Sequence, residues 1–167
     1  MALALNIVII ILALATLYFL LKGGPKTEAA QTGKPAGGSY TPLPEGEPAH
    51  HWTDDGRFQL EVLGESRYSD AIRELAGEHG EGAADTRLKA LLLADDNNPY
   101  EDKAVAVFLN NQMVGYLAPK DAMDFRTMLA REEIPGQLTS TDAVIRGGQL
   151  FEGKRLSYSV LLDINVA

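Results

Sequence analysis

A run of twenty residues, Ala2 to Leu21, carries no charge and only two polar side chains, Asn6 and Thr16. At about 1.5 Å of rise per residue a helix of that length spans the roughly 30 Å hydrocarbon core of a bilayer. Tyr18 sits near its far end, where an aromatic ring suits the membrane interface. A cleaved signal peptide is the competing assignment. It calls for basic residues ahead of the apolar stretch and a small-x-small site behind it. No Lys or Arg precedes this run, and Leu20-Leu21-Lys22-Gly23-Gly24-Pro25 follows it. The run is therefore read as a single transmembrane anchor over residues 1–21, touching the lipid bilayer through residues 2–21. Lys22, Lys26 and Lys34 all lie on its C-terminal side. The positive-inside rule then puts the rest of the chain on the cytoplasmic face of the cell membrane.

Residues 22–55 read as a flexible linker. Pro25, Pro35, Pro42, Pro44 and Pro48, with Gly23, Gly24, Gly37 and Gly38, disfavour regular structure. What remains, residues 56–167, has the length of one domain with its own core. The net charge of −8 belongs to that part. From Ala49 onward there are 12 Lys/Arg against 20 Asp/Glu, whereas residues 22–48 balance three of each. An acidic domain does not condense on nucleic acid through bulk charge, so any such contact has to be local. The chain has no cysteine, which excludes disulfides, thiolate metal sites and a cysteine nucleophile.

Hydrophobic periodicity divides the domain into short elements. Phe58, Leu60 and Val62 alternate with polar neighbours, as in a half-buried strand. Ser69 suits the cap of a helix that places Ile72, Leu75, Ala76 and His79 on one face, the histidine as a helix-edge residue without a partner. Leu88 to Leu93 reads as a buried strand. Ala104–Leu109 and Gln112–Leu117 form a hairpin about Asn110-Asn111, since asparagine tolerates the positive φ of a tight turn. Pro119 opens a second helix facing inward through Ala122, Phe125, Met128 and Leu129, which Ile134-Pro135-Gly136 ends. Gln137 to Arg146 forms a further strand, Gly147-Gly148 turns the chain, and Leu156, Tyr158, Val160, Leu162, Ile164 and Val166 alternate strictly in the last strand. The expected fold is mainly β with two helices (α+β), a small barrel or strongly curved sheet plugged by the helices.

The most distinctive stretch runs from Asp96 to Val107: Asp-Asn-Asn-Pro-Tyr-Glu-Asp-Lys-Ala-Val-Ala-Val. Val114-Gly115-Tyr116-Leu117 follows it into a helix, and Leu63-Gly64-Glu65-Ser66-Arg67-Tyr68 stands upstream. Together they resemble the HIRAN domain family over roughly Gly56 to Val166. The resemblance implies a six-stranded OB-like barrel with two helices. It also implies a nucleic-acid-binding role, because the best understood members capture the 3′ end of single-stranded DNA. A strand end needs aromatic faces, a group for the terminal hydroxyl and cations for phosphates. Tyr68, Tyr100 and Tyr116 supply faces in this reading, Asn97 and Asn98 meet sugar or base edges, and Arg67 and Lys120 hold phosphates. Glu101 stands where the family has Asp and is the acceptor for a 3′-hydroxyl, displaced by about one carbon–carbon step of 1.5 Å.

Plainer roles remain open for the same residues. Asn97 and Asn98 suit an Asx turn, the tyrosines suit the core edge, and Arg67 and Lys120 suit a solvated surface. Asp96, Asn98, Tyr100 and Asp102 fall on the spacing of a calcium loop, but Glu101 and Val107 occupy its glycine and bidentate-glutamate positions. His50-His51 ends the linker and is read as solvated. No catalytic constellation, metal site or cofactor motif is expected, which makes an enzyme the least favoured class. Two functions stand against each other: a membrane-tethered module for single-stranded DNA or another nucleic acid, and an adaptor that recruits a protein partner to the membrane through a strand edge or groove.

Overall fold

The computed structural model describes residues 40–167. The anchor expected over 1–21 and the linker over 22–39 lie outside the described residues. Among the described residues no helix is long and apolar enough to cross a membrane.

Nine strands and two helices make up the described part. The strands are β1 (His51–Trp52), β2 (Leu60–Glu61), β3 (Ala84–Ala94), β4 (Val105–Leu109), β5 (Gln112–Tyr116), β6 (Thr139–Gly147), β7 (Leu150–Phe151), β8 (Lys154–Arg155) and β9 (Tyr158–Leu162). The helices are α1 (Glu65–Ala76) and α2 (Pro119–Arg131). One seven-stranded sheet runs in the order β2-β9-β6-β3-β4-β5, with β1 added in parallel beside β6 and all other pairs antiparallel. The sheet curls until its ends meet. Just after β2, Leu63 exchanges two backbone hydrogen bonds with Tyr116 of β5, at 2.8 and 2.9 Å.

That meeting depends on Gly115. Its φ is +149°, and a Cβ there would collide with the Leu63 carbonyl oxygen and stand 2.7 Å from Val62 Cγ1. Only a glycine lets two backbones approach so closely in that conformation. Most of the hydrophobic core lies inside the curl. Val62, Leu92, Val107, Ile145, Val160 and Leu162 fill it from the strands, Ile72 from α1, and Phe125 and Leu129 from α2. Phe125 is fully buried, which contributes about 1.5–3 kcal/mol for a side chain of that size.

Several expectations hold. The β4–β5 hairpin turns at Asn110 and Asn111, whose φ values are 47° and 62°. Helix α2 carries Pro119 in its first turn and buries Ala122, Phe125 and Leu129. Others need correction. The first helix begins at Glu65 after Gly64, which adopts a left-handed φ of 117°, so Ser69 lies inside the helix and Ser66-Arg67-Tyr68 forms its first turn. His79 follows the helix rather than edging it. Its ring bonds the Gly82 carbonyl at 2.7 Å and the Tyr158 hydroxyl at 2.9 Å. The first strand shortens to two residues because Phe58 takes a φ of 48°. The last strand likewise covers only Tyr158–Leu162, and Leu156 is exposed.

The largest correction concerns the linker. Residues 40–55 lie along the domain. Ala49 N–H donates to the Leu138 carbonyl at 2.8 Å, Ser140 N–H donates to the His50 carbonyl at 2.9 Å, and β1 pairs with β6. His51 Nδ1 is 2.9 Å from Ser140 Oγ, so this histidine is engaged rather than free in solvent. Trp52 packs edge-on against Phe125. Pro and Gly content hid a segment whose order comes from tertiary hydrogen bonds rather than local propensity.

Candidate nucleic-acid interface

The Asp96–Val107 stretch forms most of the loop between β3 and β4 and the first three residues of β4, and both ends of the loop are pinned. At one end Asp95 is buried. Its Oδ1 accepts from the Tyr40 hydroxyl at 2.6 Å and its Oδ2 from Asn98 Nδ2 at 3.2 Å. Asn98 Oδ1 in turn accepts the backbone N–H groups of Tyr100 at 2.9 Å and Glu101 at 3.2 Å. That is an Asx-type turn, so the structural role weighed for Asn98 is realised. At the other end Arg126 of α2 reaches under the loop. It donates to the Lys103 carbonyl at 3.0 Å, the Ala104 carbonyl at 2.8 Å and Asp96 Oδ1 at 2.7 Å. Replacing Arg126 by Met is expected to cost about 2–3 kcal/mol, the scale of several hydrogen bonds from one charged group. Faster amide exchange across residues 96–104, with the β4–β5 hairpin unchanged, checks this.

The pinned loop forms one wall of a cavity of about 440 Å³. Leu117 and Ala122 are buried at its base, and Leu63 and Gly64, at the seam of the curled sheet, line another side. Three tyrosines surround it: Tyr40, Tyr100 and Tyr116. Tyr100 is 77% exposed, with its ring on the rim. Tyr116 is half-buried, and burial followed by the neighbouring Tyr68 and Asp95 pushes its hydroxyl up to about 12. Burial first, then the hydrogen bond to Asp95, raises the Tyr40 hydroxyl further. Both phenols therefore stay protonated and neutral through the physiological range. Among the described residues the charged lining is Arg67 and Lys103 against Glu101, in a chain of net charge −8.

Five of the eight residues expected to form the site meet in this cavity: Arg67, Asn98, Tyr100, Glu101 and Tyr116. The other three do not line it. Asn97 is exposed on the loop. Lys120 points to Asp124, with Nζ 2.6 Å from its carboxylate. Tyr68 is a core-edge aromatic that packs against both hydrophobic clusters. Burial raises its hydroxyl, with Arg67 acting the other way, and the Arg67 guanidinium lies 5.9 Å from its ring centroid. The chain matches no family model, no curated protein and no solved structure.

Sequence reasoning missed Tyr40, Asp95, Lys103 and Arg126. Tyr40 lay in a segment read as linker. Asp95 stands just ahead of the quoted stretch and Lys103 within it, and the order of residue types gives no hint of burial or lining there. Arg126 is a cation on the second helix whose contacts with the loop cross 22 to 30 residues of chain, so no local pattern marks it.

Proposed function

We propose that this chain is a membrane-tethered, HIRAN-type module that holds a single-stranded nucleic-acid end in the tyrosine-lined cavity. The curled sheet is then an OB-like barrel whose ends close through Leu63 and Tyr116. The observation that carries the reading is the cavity itself. Residues far apart in sequence, singled out as aromatic, amide, acidic and basic contacts for a strand end, converge there with a locally positive balance. Tyr100 supplies an exposed ring for a base to stack on, and the pinning of its loop means that little order has to be gained on binding. Arg67 and Lys103 are the cations for phosphates in this reading. Glu101, its backbone N–H held by Asn98, is placed to accept a terminal hydroxyl. The Ala2–Leu21 run supplies the tether.

The test is fluorescence anisotropy of the full-length protein in non-ionic detergent with short single strands ending in 3′-hydroxyl or 3′-phosphate. Tyr100→Ala is expected to weaken binding about 5- to 150-fold, the equivalent of the 1–3 kcal/mol that one stacked base contributes. Its melting temperature should not change, because the ring is largely exposed. Loss of affinity with the 3′-phosphate assigns Glu101 to the terminal hydroxyl. Absence of binding to either strand at low salt overturns the proposal and leaves the adaptor reading, with a protein partner in the cavity.

A further inference from the structure

A second cavity, of about 290 Å³, lies between α1 and the segment joining β8 to β9. Its polar lining is of one kind. Ser66 and Ser69 come from α1 with Arg73, and Arg155 and Ser157 come from the opposite side. Among the described residues no carboxylate lines it. Buried Ile72 and Tyr158 form its apolar floor. Two guanidiniums and three hydroxyls over an apolar floor are the donor set for a phosphate group. In a domain with 20 acidic and 12 basic residues after residue 48, a groove without an acid departs from the surrounding surface.

The guanidinium of Arg155 is oriented before any ligand arrives. Nη1 donates to the Gly148 carbonyl at 2.5 Å and Nη2 to the Gly80 carbonyl at 3.2 Å. Arginine has five N–H donors, so two carbonyl bonds hold the plane while other donors remain. Arg73 makes only a 3.4 Å contact with Asp70, whose side chain is 93% exposed. A contact of that kind contributes little in solvent and yields readily to a phosphate.

The position relative to the tyrosine cavity matters. Arg67 lines the tyrosine cavity and Ser66, its neighbour in the chain, lines this groove. The first turns of α1 thus separate the two. We propose that the groove is a phosphodiester subsite, holding a backbone phosphate of the strand whose end sits in the tyrosine cavity. This rests on the function proposed above and extends it: the ligand is a strand long enough to cross the N-terminal part of α1, not an isolated nucleotide.

The two readings separate in one set of titrations with the full-length protein in non-ionic detergent, using a dinucleotide and an eight-nucleotide strand over a range of salt. Arg73→Gln is the main variant, because its side chain is exposed and holds no other element. Arg155→Gln is the second, read together with its melting curve because Arg155 also holds two turns. Each variant is expected to leave dinucleotide binding unchanged and to weaken the longer strand. The slope of log affinity against log salt for the longer strand should become shallower by about 0.7, the loss of one phosphate contact on a single strand. If wild type binds both strands and Arg73→Gln changes neither its affinity nor its salt slope, the subsite is wrong and the tyrosine cavity stands. If the variant weakens both strands equally, the effect is general charge and the subsite is again wrong. Should wild type bind neither strand, the subsite falls together with the function. Binding of anionic-lipid vesicles that is lost in Arg73→Gln, without any strand binding, would reassign the groove to lipid phosphate and overturn the proposal.

Discussion

Gly115→Ala is expected to lower the melting temperature by on the order of 10 °C or to prevent folding. The added methyl group would collide with the Leu63 carbonyl oxygen and press on Val62 Cγ1 at 2.7 Å. Neither neighbour can give way. Val62 is 1% exposed in the core, and the Leu63 carbonyl accepts the Tyr116 N–H at 2.9 Å. The φ of +149° adds strain for any residue with a Cβ. Overpacking and backbone strain each cost about 1–3 kcal/mol. Their sum, about 2–6 kcal/mol, is a large share of the 5–15 kcal/mol that ordinarily stabilises a domain. The check is thermal unfolding followed by circular dichroism. Hydrogen exchange adds a sharper reading: the amides of Leu63 and Tyr116 should lose protection before those of β3 and β6. An unchanged melting temperature would mean that the sheet does not need its ends joined.

Asp163→Ala should be similarly costly, and its effect should depend on pH. Asp163 is buried, and its Oδ2 accepts the Thr53 hydroxyl at 2.9 Å. Burial pushes its carboxyl up. The Thr53 hydroxyl and the nearby backbone N–H groups of Asp54, Gly56 and Phe58 outweigh that, and the net shift is downward. The carboxylate therefore ties the turn after β1 to the end of β9. A hydrogen bond to a charged group is worth about 1.5–3 kcal/mol, so removing the carboxylate should cost roughly 3 kcal/mol at neutral pH. A carboxyl whose folded pKa is depressed stabilises the fold above its unfolded pKa, near 3.9 for aspartate. That stabilisation fades as pH falls from there through the lower folded pKa. The gap in unfolding free energy between wild type and Asp163→Ala should thus be widest at neutral pH and narrow below pH of about 4. A gap that stays constant down to pH of about 2 would assign the residue's contribution to packing alone.

What could be read from the sequence follows the range of the forces involved. Helix α2 and the β4–β5 hairpin were legible because their signals are local: a proline in the first turn, inward residues at helical spacing, two asparagines at a turn. The β9 alternation is visible too, but the ladder with β6 ends at the Gly147–Tyr158 pair, which leaves Leu156 outside it. The start of α1 was misplaced because Ser69 looks like a cap, while the chain uses the left-handed conformation of Gly64. The shared cavity was half legible. Arg67, Asn98, Tyr100, Glu101 and Tyr116 stand out from the order of residue types in one loop, one strand and the upstream Leu63–Tyr68 stretch. Tyr40 and Arg126 act across 55 and 22 residues of chain, through Asp95 and the Ala104 carbonyl. No local pattern announces contacts of that span.

The Tyr40–Asp95 hydrogen bond has a mechanical consequence. Tyr40 is both a wall of the tyrosine cavity and the first described residue of the domain. Among the described residues, a pull along the chain from its N-terminal side meets this hydrogen bond before the parallel pairing of β1 with β6. Drawing Tyr40 out would open the cavity and free the Asp95 carboxylate while the sheet stayed whole.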